Sequence, residues 1–209
     1  MRGLYALTPE IPGTAALCER VRQALEGGAR WVQYRAKLVD AATRADQAAA
    51  LVALCASFGA RLIVNDDADL AAAAGAAGVH LGRDDGPVAA ARARLGSTAI
   101  VGVSCYDDLD RARHAQAQGA DYVAFGSFFA SRVKPGAVRP SLDLLFAARR
   151  ALQVPIVAIG GITLDNAASV IAAGADAVAV ITDLFTDADP AARARAYGRL
   201  FAADPVASC

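Results

Sequence analysis

The chain has no excess of charge of either sign, with 21 lysines and arginines against 21 aspartates and glutamates. No global field therefore draws it to nucleic acid or to an anionic membrane, and neither is expected as a partner. Cysteine is sparse, at positions 18, 55, 105 and 209, with no close pair and no Cys-x-x-Cys. A disulfide framework is not expected from that pattern, and reduced thiols in a cytoplasmic protein are. Histidine is limited to His80 and His114, far apart, so a zinc cluster has too few ligands. The apolar run at the N-terminus is too short for a secretory leader. Long hydrophobic runs are missing too: the best, 167–181, is interrupted by Asp176, and no transmembrane helix is expected. Lysine is the scarcest cation, present only as Lys37 and Lys134.

Hydrophobic residues are plentiful, at 56%, and much of that is alanine. They fall into short apolar runs at 4–7, 31–34, 62–64, 79–81, 100–103, 122–125, 156–159 and 177–181, each ended by polar or glycine residues. Between them lie helix-period segments at about 14–25, 43–58, an alanine-rich piece before residue 79, a short one opened by Pro87, then about 107–118, 141–152, 164–173 and 190–201. Gly-Ala stands just before a strand at residues 28, 59, 75, 119 and 174, where glycine suits the left-handed residue that closes a helix. Eight βα units over residues 1–209 predict one domain, a closed (β/α)8 TIM barrel with a parallel sheet, at a lean ~26 residues per unit. An open doubly wound sheet is the competing architecture. It would want a glycine-rich dinucleotide turn after the first strand, and LTPEIPG does not supply one.

Chemistry in such a barrel gathers where the strands end. Those ends carry Thr8, the run from Gln33 to Lys37, Asn65-Asp66, Gly82 to Asp85, Ser104, Gly126-Ser127 with Lys134 in the following loop, Gly160-Gly161 and Thr182. Asp66 and Asp85 can form a hard-metal site, since Mg²⁺ takes one or two carboxylates plus substrate phosphates. They can equally be acids that favour helix N-termini, as Asp67, Asp69 and Asp84 are read to be. Arg35 and Lys37 suit a diphosphate, a planar fork beside a point charge, or else form a solvated loop. Lys134 faces the same choice, in a loop whose length is more often functional than idle in so trim a barrel. Gly160-Gly161 and Thr182 match the recurrent phosphate site of these barrels, against the reading of a plain tight turn. His80 reads as a satisfied core histidine and His114 as a surface helix residue; Cys105 carries no assignment. Two anion sites on one rim point to a metal-dependent enzyme acting on a diphosphate.

Taken in order, GLYALTP, VQYRAK, IVNDDADLAAAAGAAGVHLGRDD, VGVSC, GADYVAFGSFFASRVKPGA, VAIGGIT and AVAVITDLF resemble the thiamine-phosphate synthase family. The resemblance implies a transferase that joins a pyrimidine diphosphate, 4-amino-2-methyl-5-(diphosphooxymethyl)pyrimidine, to a thiazole phosphate, releasing diphosphate by a dissociative displacement. It implies Mg²⁺ as cofactor, held by Asp66 and Asp85. Gln33, Arg35, Lys37, Asn65, Ser104 and Lys134 match positions that bind the pyrimidine diphosphate, with Arg35, Lys37, Ser104 and Lys134 the catalytic set. Ser131, Gly160 or Gly161, Ile181 and Thr182 match the thiazole-phosphate contacts. The chain departs from the family pattern at Arg83, where glutamine is usual, and at Ser131 and Val133, which shorten and lose hydroxyls of a threonine-bearing loop. Two rivals differ in kind. A thiazole tautomerase-like isomerase would need neither the diphosphate cations nor the acid pair; a non-catalytic barrel that binds a phosphorylated ligand could keep the phosphate site and lose the acids.

Overall fold

Runs such as LYAL and AVAV are apolar at consecutive positions because their strands are buried on both faces, as in a parallel sheet covered by helices. In the computed structural model, which describes residues 1–130 and 138–202, they close into a parallel barrel with strands in sequence order. The strands are β1 Gly3–Leu7, β2 Trp31–Tyr34, β3 Arg61–Asn65, β4 Gly78–Leu81, β5 Ile100–Tyr106, β6 Tyr122–Phe125, β7 Ile156–Ile159 and β8 Ala177–Val180. The helices are α1 Thr14–Glu26, α2 Ala41–Ser57, α3 Ala68–Ala74, α4 Val88–Leu95, α5 Leu109–Ala117, α6 Asp143–Ala151, α7 Leu164–Ala172, α8 Thr182–Phe185 and α9 Pro190–Ala202. Strand β1 pairs with both β2 and β8, which completes the circle and rules out the open doubly wound sheet.

The strand period of two divides each strand between two cores. Leu4 and Ala6 of β1, Val123 and Phe125 of β6, and Val178 and Val180 of β8 face the helix layer. Their neighbours Tyr5, Leu7, Tyr122, Ala124, Ala177 and Ala179 fill the barrel interior together with Ile63 and Val157. All five glycines of the Gly-Ala turns have positive φ, from 61° at Gly59 to 114° at Gly174, so the recurring dipeptide marks the left-handed exit from a helix. Three helix starts are set by aspartates: Asp40 accepts from Thr43 N, Asp67 from Leu70 N and Asp108 from Arg111 N.

Three details differ from the sequence reading. Among the described residues there is a ninth helix, α8, which follows β8 directly; at four residues it is too short to carry a helical period, and Ile181 lies in the turn before it rather than in the strand. Strand β5 runs on through Ser104 to Tyr106, with a register shift between those two residues. Asp84 lies outside the first turn of α4, which has no acid and is capped by Pro87, whereas Asp67 and Asp69 do sit at the start of α3.

The interior is fitted around one aromatic. A Cβ on Gly102 of β5 would stand 2.0 Å from Cζ of Tyr122, which is inside contact distance of a fully buried ring. Gly102→Ala is therefore expected to destabilise the fold by about 3 kcal/mol, since the ring has no room to retreat in a close-packed barrel. Urea unfolding measures it; a loss below ~1 kcal/mol would show that the interior yields more easily than its packing implies.

Candidate active site

A cavity of about 850 Å³ opens at the C-terminal mouth of the barrel. Gln33 and Arg35 at the end of β2, Asn65 of β3, Ser104 of β5, Gly160 and Gly161 after β7, and Ile181 and Thr182 after β8 all line it. Every one of them was singled out in the sequence. Lys37, Asp66 and Asp85 are not among the residues that line it; Lys37 Nζ forms an ion pair with Asp66, which follows the lining residue Asn65. Ser131 and Lys134 lie outside the described residues.

Asp66 follows β3 with φ 66°, a left-handed backbone uncommon for any residue but glycine, fixed by its N–H donating to His80 O at 2.8 Å. Asp85 accepts from the Gly82 N–H at 2.6 Å. The two carboxyls influence one another's titration. Burial by itself would raise Asp66, but the hydrogen bonds from Lys37 and Asp85 outweigh it and hold that carboxyl below its usual range. Asp85 moves the other way, raised by burial and by the Asp66 carboxylate. Two interacting carboxylates ionise together more readily when a cation joins them. Among the described residues no cluster of three or more acids, histidines or cysteines is present. Two oxygen donors suffice for a magnesium ion that also takes oxygens from a phosphorylated substrate, and in that sense the residues fit the group.

The cation arm is braced from β1. Thr8 Oγ1 accepts from Arg35 N at 2.9 Å and donates to Arg35 O at 3.2 Å. Glu10 accepts from Lys37 N at 2.9 Å and from Arg35 Nη1 at 3.4 Å. Glu10 was missed in the sequence, although its place two residues past Thr8 put it on the same rim.

Beneath the cavity runs a buried polar chain. Gln33 Nε2 donates to Tyr5 Oη at 3.0 Å, Tyr5 Oη meets Tyr122 Oη at 2.8 Å, and Tyr122 Oη meets His80 Nδ1 at 2.9 Å. His80 Nε2 then meets Ser104 Oγ at 2.8 Å. The His80 and Tyr122 rings stack with centroids 5.5 Å apart. Burial pushes both phenols up, so they stay neutral and act only as hydrogen-bonding groups. His80 is thus the satisfied core histidine expected, and it also links two cavity residues, Gln33 and Ser104, through the barrel floor. No sequence signal reveals this chain, because its members come from opposite strands; Tyr5 and Tyr122 are 117 residues apart. Cys105 is buried, its thiol pushed up to about 12 by burial, which removes it as a nucleophile.

The wall holding Thr182 is tied down by its neighbour. Asp183 accepts from Arg193 Nε at 3.0 Å and from Tyr197 Oη at 2.6 Å, anchoring α8 to α9. Burial would raise Asp183, but the Arg193 and Tyr197 hydrogen bonds prevail and lower it. A carboxyl lowered in the folded state adds stability above its ordinary value of 3.8 and loses it as pH falls through the lower folded value. Between about pH 5 and pH 3 the wild-type chain is therefore expected to lose more stability than Asp183→Asn. Parallel acid limbs in denaturant titrations of the two proteins would refute the anchor.

The family model for thiamine monophosphate synthase matches residues 4–184, a span that begins one residue into β1 and contains the other seven strands. The chain belongs to the thiamine monophosphate synthase family. It is an enzyme of the transferase class. Thiamine-phosphate synthase of Azoarcus sp. is 56% identical over 97% of this chain and 98% of its own length. The Aromatoleum aromaticum thiamine-phosphate synthase is 54% identical, with 96% and 97% covered. Among solved structures, a thiamine phosphate pyrophosphorylase from Pyrococcus furiosus superposes with a TM-score of 0.84 at 32% identity, covering 96% of this chain and 95% of that one. Within this family frame the cavity has a polar, charged half at the ends of β2 to β5 and a small-residue half at the ends of β7 and β8. No helix among the described residues is long and apolar enough to cross a membrane.

Proposed function

We propose that the chain condenses 4-amino-2-methyl-5-(diphosphooxymethyl)pyrimidine with a thiazole phosphate, giving thiamine phosphate and diphosphate, by a magnesium-dependent dissociative displacement. The observation that supports this reading is that one cavity is lined by residues from both of the groups read as anion sites. Arg35, with the Lys37–Asp66–Asp85 group beside it, stands at one side; Gly160, Gly161, Ile181 and Thr182 stand at the other. A volume of about 850 Å³ suits two small substrates together.

In the reaction the bond between the pyrimidine methylene carbon and the diphosphate oxygen breaks, its electron pair leaving with diphosphate. The thiazole nitrogen then donates its lone pair to the resonance-stabilised carbocation, so no proton need be moved. Asp66 and Asp85 would hold a magnesium ion, which would supply positive charge to the leaving group. Arg35 grips diphosphate oxygens with its planar fork, and Lys37 adds a point charge once the anion competes with Asp66 for it. Lys134 contributes a third cation by resemblance. Gln33, Asn65 and Ser104 orient the pyrimidine, with Ser104 held by His80. The glycines let a phosphate approach backbone N–H groups, while Ile181 and Thr182 close the far wall. Catalysis here is charge stabilisation and alignment, which calls on no base or nucleophile.

The direct test incubates the protein with both substrates, with and without magnesium, and follows thiamine phosphate and diphosphate. Equimolar release of the two products, dependent on magnesium, is expected. No product with metal and both substrates present would overturn the reading.

A further inference from the structure

Arg83 stands one residue past Gly82 on the rim and lines the cavity. Its guanidinium carbon sits 4.8 Å from the centroid of the Tyr106 ring, inside the range of a cation–π contact. Three acids are close in sequence or on the next strand end, Asp84, Asp85 and Asp107, yet Arg83 pairs with none of them among the described residues. Asp85 is turned instead to Gly82 N and Asp66.

The ring beneath Arg83 is itself held in place. Tyr106 has φ 58° just after the register shift in β5; with Asp66 it is one of two non-glycine residues with positive φ among the described residues, and both stand at strand ends on this rim. Such a conformation costs about 1 kcal/mol or more for a tyrosine, and strain of this kind persists where surrounding structure imposes it. Arg111 supplies that structure. Its Nε donates to Ser104 O at 2.8 Å and its Nη2 to Gly82 O at 3.1 Å, so it ties β5 to β4, and its guanidinium lies 6.0 Å from the same ring. Of the two cations at the ring, Arg111 is committed to backbone carbonyls, whereas Arg83 keeps its hydrogen-bond donors for something else. Two like charges around one aromatic are better tolerated when an anion joins them.

We propose that Arg83, positioned on the Tyr106 ring, is a further diphosphate-binding residue of this enzyme, gripping the leaving group from the β4–β5 end of the charged half that also carries the Arg35–Lys37 arm. The assignment rests on the synthase reading and extends it to a position where the family commonly has glutamine. It also gives the strained Tyr106 a purpose, that of a platform which holds a long side chain over the cavity mouth and reduces the entropy lost on binding.

The test measures binding of inorganic diphosphate by calorimetry in magnesium buffer, alongside the KM for each substrate. Arg83→Gln is expected to weaken diphosphate and raise the KM of the pyrimidine diphosphate by about tenfold, a guanidinium–phosphate contact, with the thiazole-phosphate KM nearly unchanged. Tyr106→Leu, with Arg83 intact, should give part of that loss. Arg113→Gln, a surface cation paired with Asp110 on α5, serves as control and should bind like wild type. Unchanged diphosphate affinity in Arg83→Gln overturns the proposal while leaving the synthase reading intact, provided the wild type turns over. Equal damage to both substrates, or to the melting temperature, overturns it too, because Arg83 would then be structural. If the wild type makes no product but binds diphosphate through Arg83, the synthase reading fails and the anion site stands. A wild type that neither turns over nor binds diphosphate ends both.

Discussion

Asp66→Asn is expected to slow turnover by about a thousandfold while leaving the folded state almost untouched, since losing a preorganised charge at the reacting centre costs on that order. Asparagine keeps the size of the side chain and tolerates the φ of 66° at this position better than other residues, so the backbone after β3 should hold. What disappears is charge. Lys37 loses its partner, and Asp85 no longer faces a carboxylate, so only burial is left to raise it. The stability at stake is small: Lys37 and Asp66 are 51% and 27% exposed, and pairs that open to water contribute about 0–1 kcal/mol. Catalytic and structural roles therefore predict opposite outcomes. A melting temperature within a few degrees of wild type, with kcat collapsed and more magnesium needed for half-maximal rate, is the expected pattern. A variant with near-normal kcat would remove the acid pair from the mechanism, and one that is inactive only because it unfolds would make Asp66 a fold residue.

How far the sequence carried depends on whether the governing interactions are local. Strand and helix order was legible because each barrel unit repeats the same local solution: a short run buried on both faces, a polar stop, an amphipathic segment, then Gly-Ala. Gly75 shows why that last signal is dependable. Its φ of 70° closes α3, and only a residue without Cβ takes that geometry freely. The rim residues followed from the same logic, since a residue just past a strand in a parallel barrel has only one end at which to emerge. Gln33, Arg35, Asn65, Ser104, Gly160, Gly161, Ile181 and Thr182 accordingly line one cavity.

What stayed hidden depends on register across the barrel. Whether Tyr5 reaches Tyr122, and through it His80, depends on how far each strand is staggered around the circle, and no window of sequence contains that. Gly102 is similar: its need for hydrogen in place of Cβ exists only because Tyr122 is set against it. Arg83 looked like an unexplained departure because its partner, Tyr106, lies on the next strand in a backbone conformation that the pattern VSCY does not announce. Short α8 was hidden for another reason, since one turn is too little for a period to register.

Gly160→Ala should damage both stability and one substrate site, and it separates a glycine needed for close approach from one needed only for its φ. Gly59 and Gly160 both have positive φ, 61° and 99°. At Gly59 an added Cβ meets nothing within 4 Å, so Gly59→Ala should cost only the backbone term of about 1–2 kcal/mol and leave kinetics unaltered. At Gly160 the same carbon would lie 1.9 Å from Ser127 Oγ and 2.5 Å from Ser127 Cα. Backbone cannot rotate aside as a flexible side-chain tip would. The segment after β6, which is clamped to β7 by Phe128 N donating to Ile159 O and Phe129 N to Gly160 O, must therefore shift as a unit. Overpacking of that kind added to the φ strain is expected to cost about 3 kcal/mol. The shift falls on the wall assigned to the thiazole phosphate, so its KM should rise by about tenfold or more, whereas diphosphate affinity at the β2–β4 side should stay within about twofold. Calorimetric titration of inorganic diphosphate and steady-state kinetics for each substrate separate the two walls. If Gly160→Ala weakened diphosphate as much as thiazole phosphate, the two anions would share one wall, and the division of the cavity into a cation side and a glycine side would have to be abandoned.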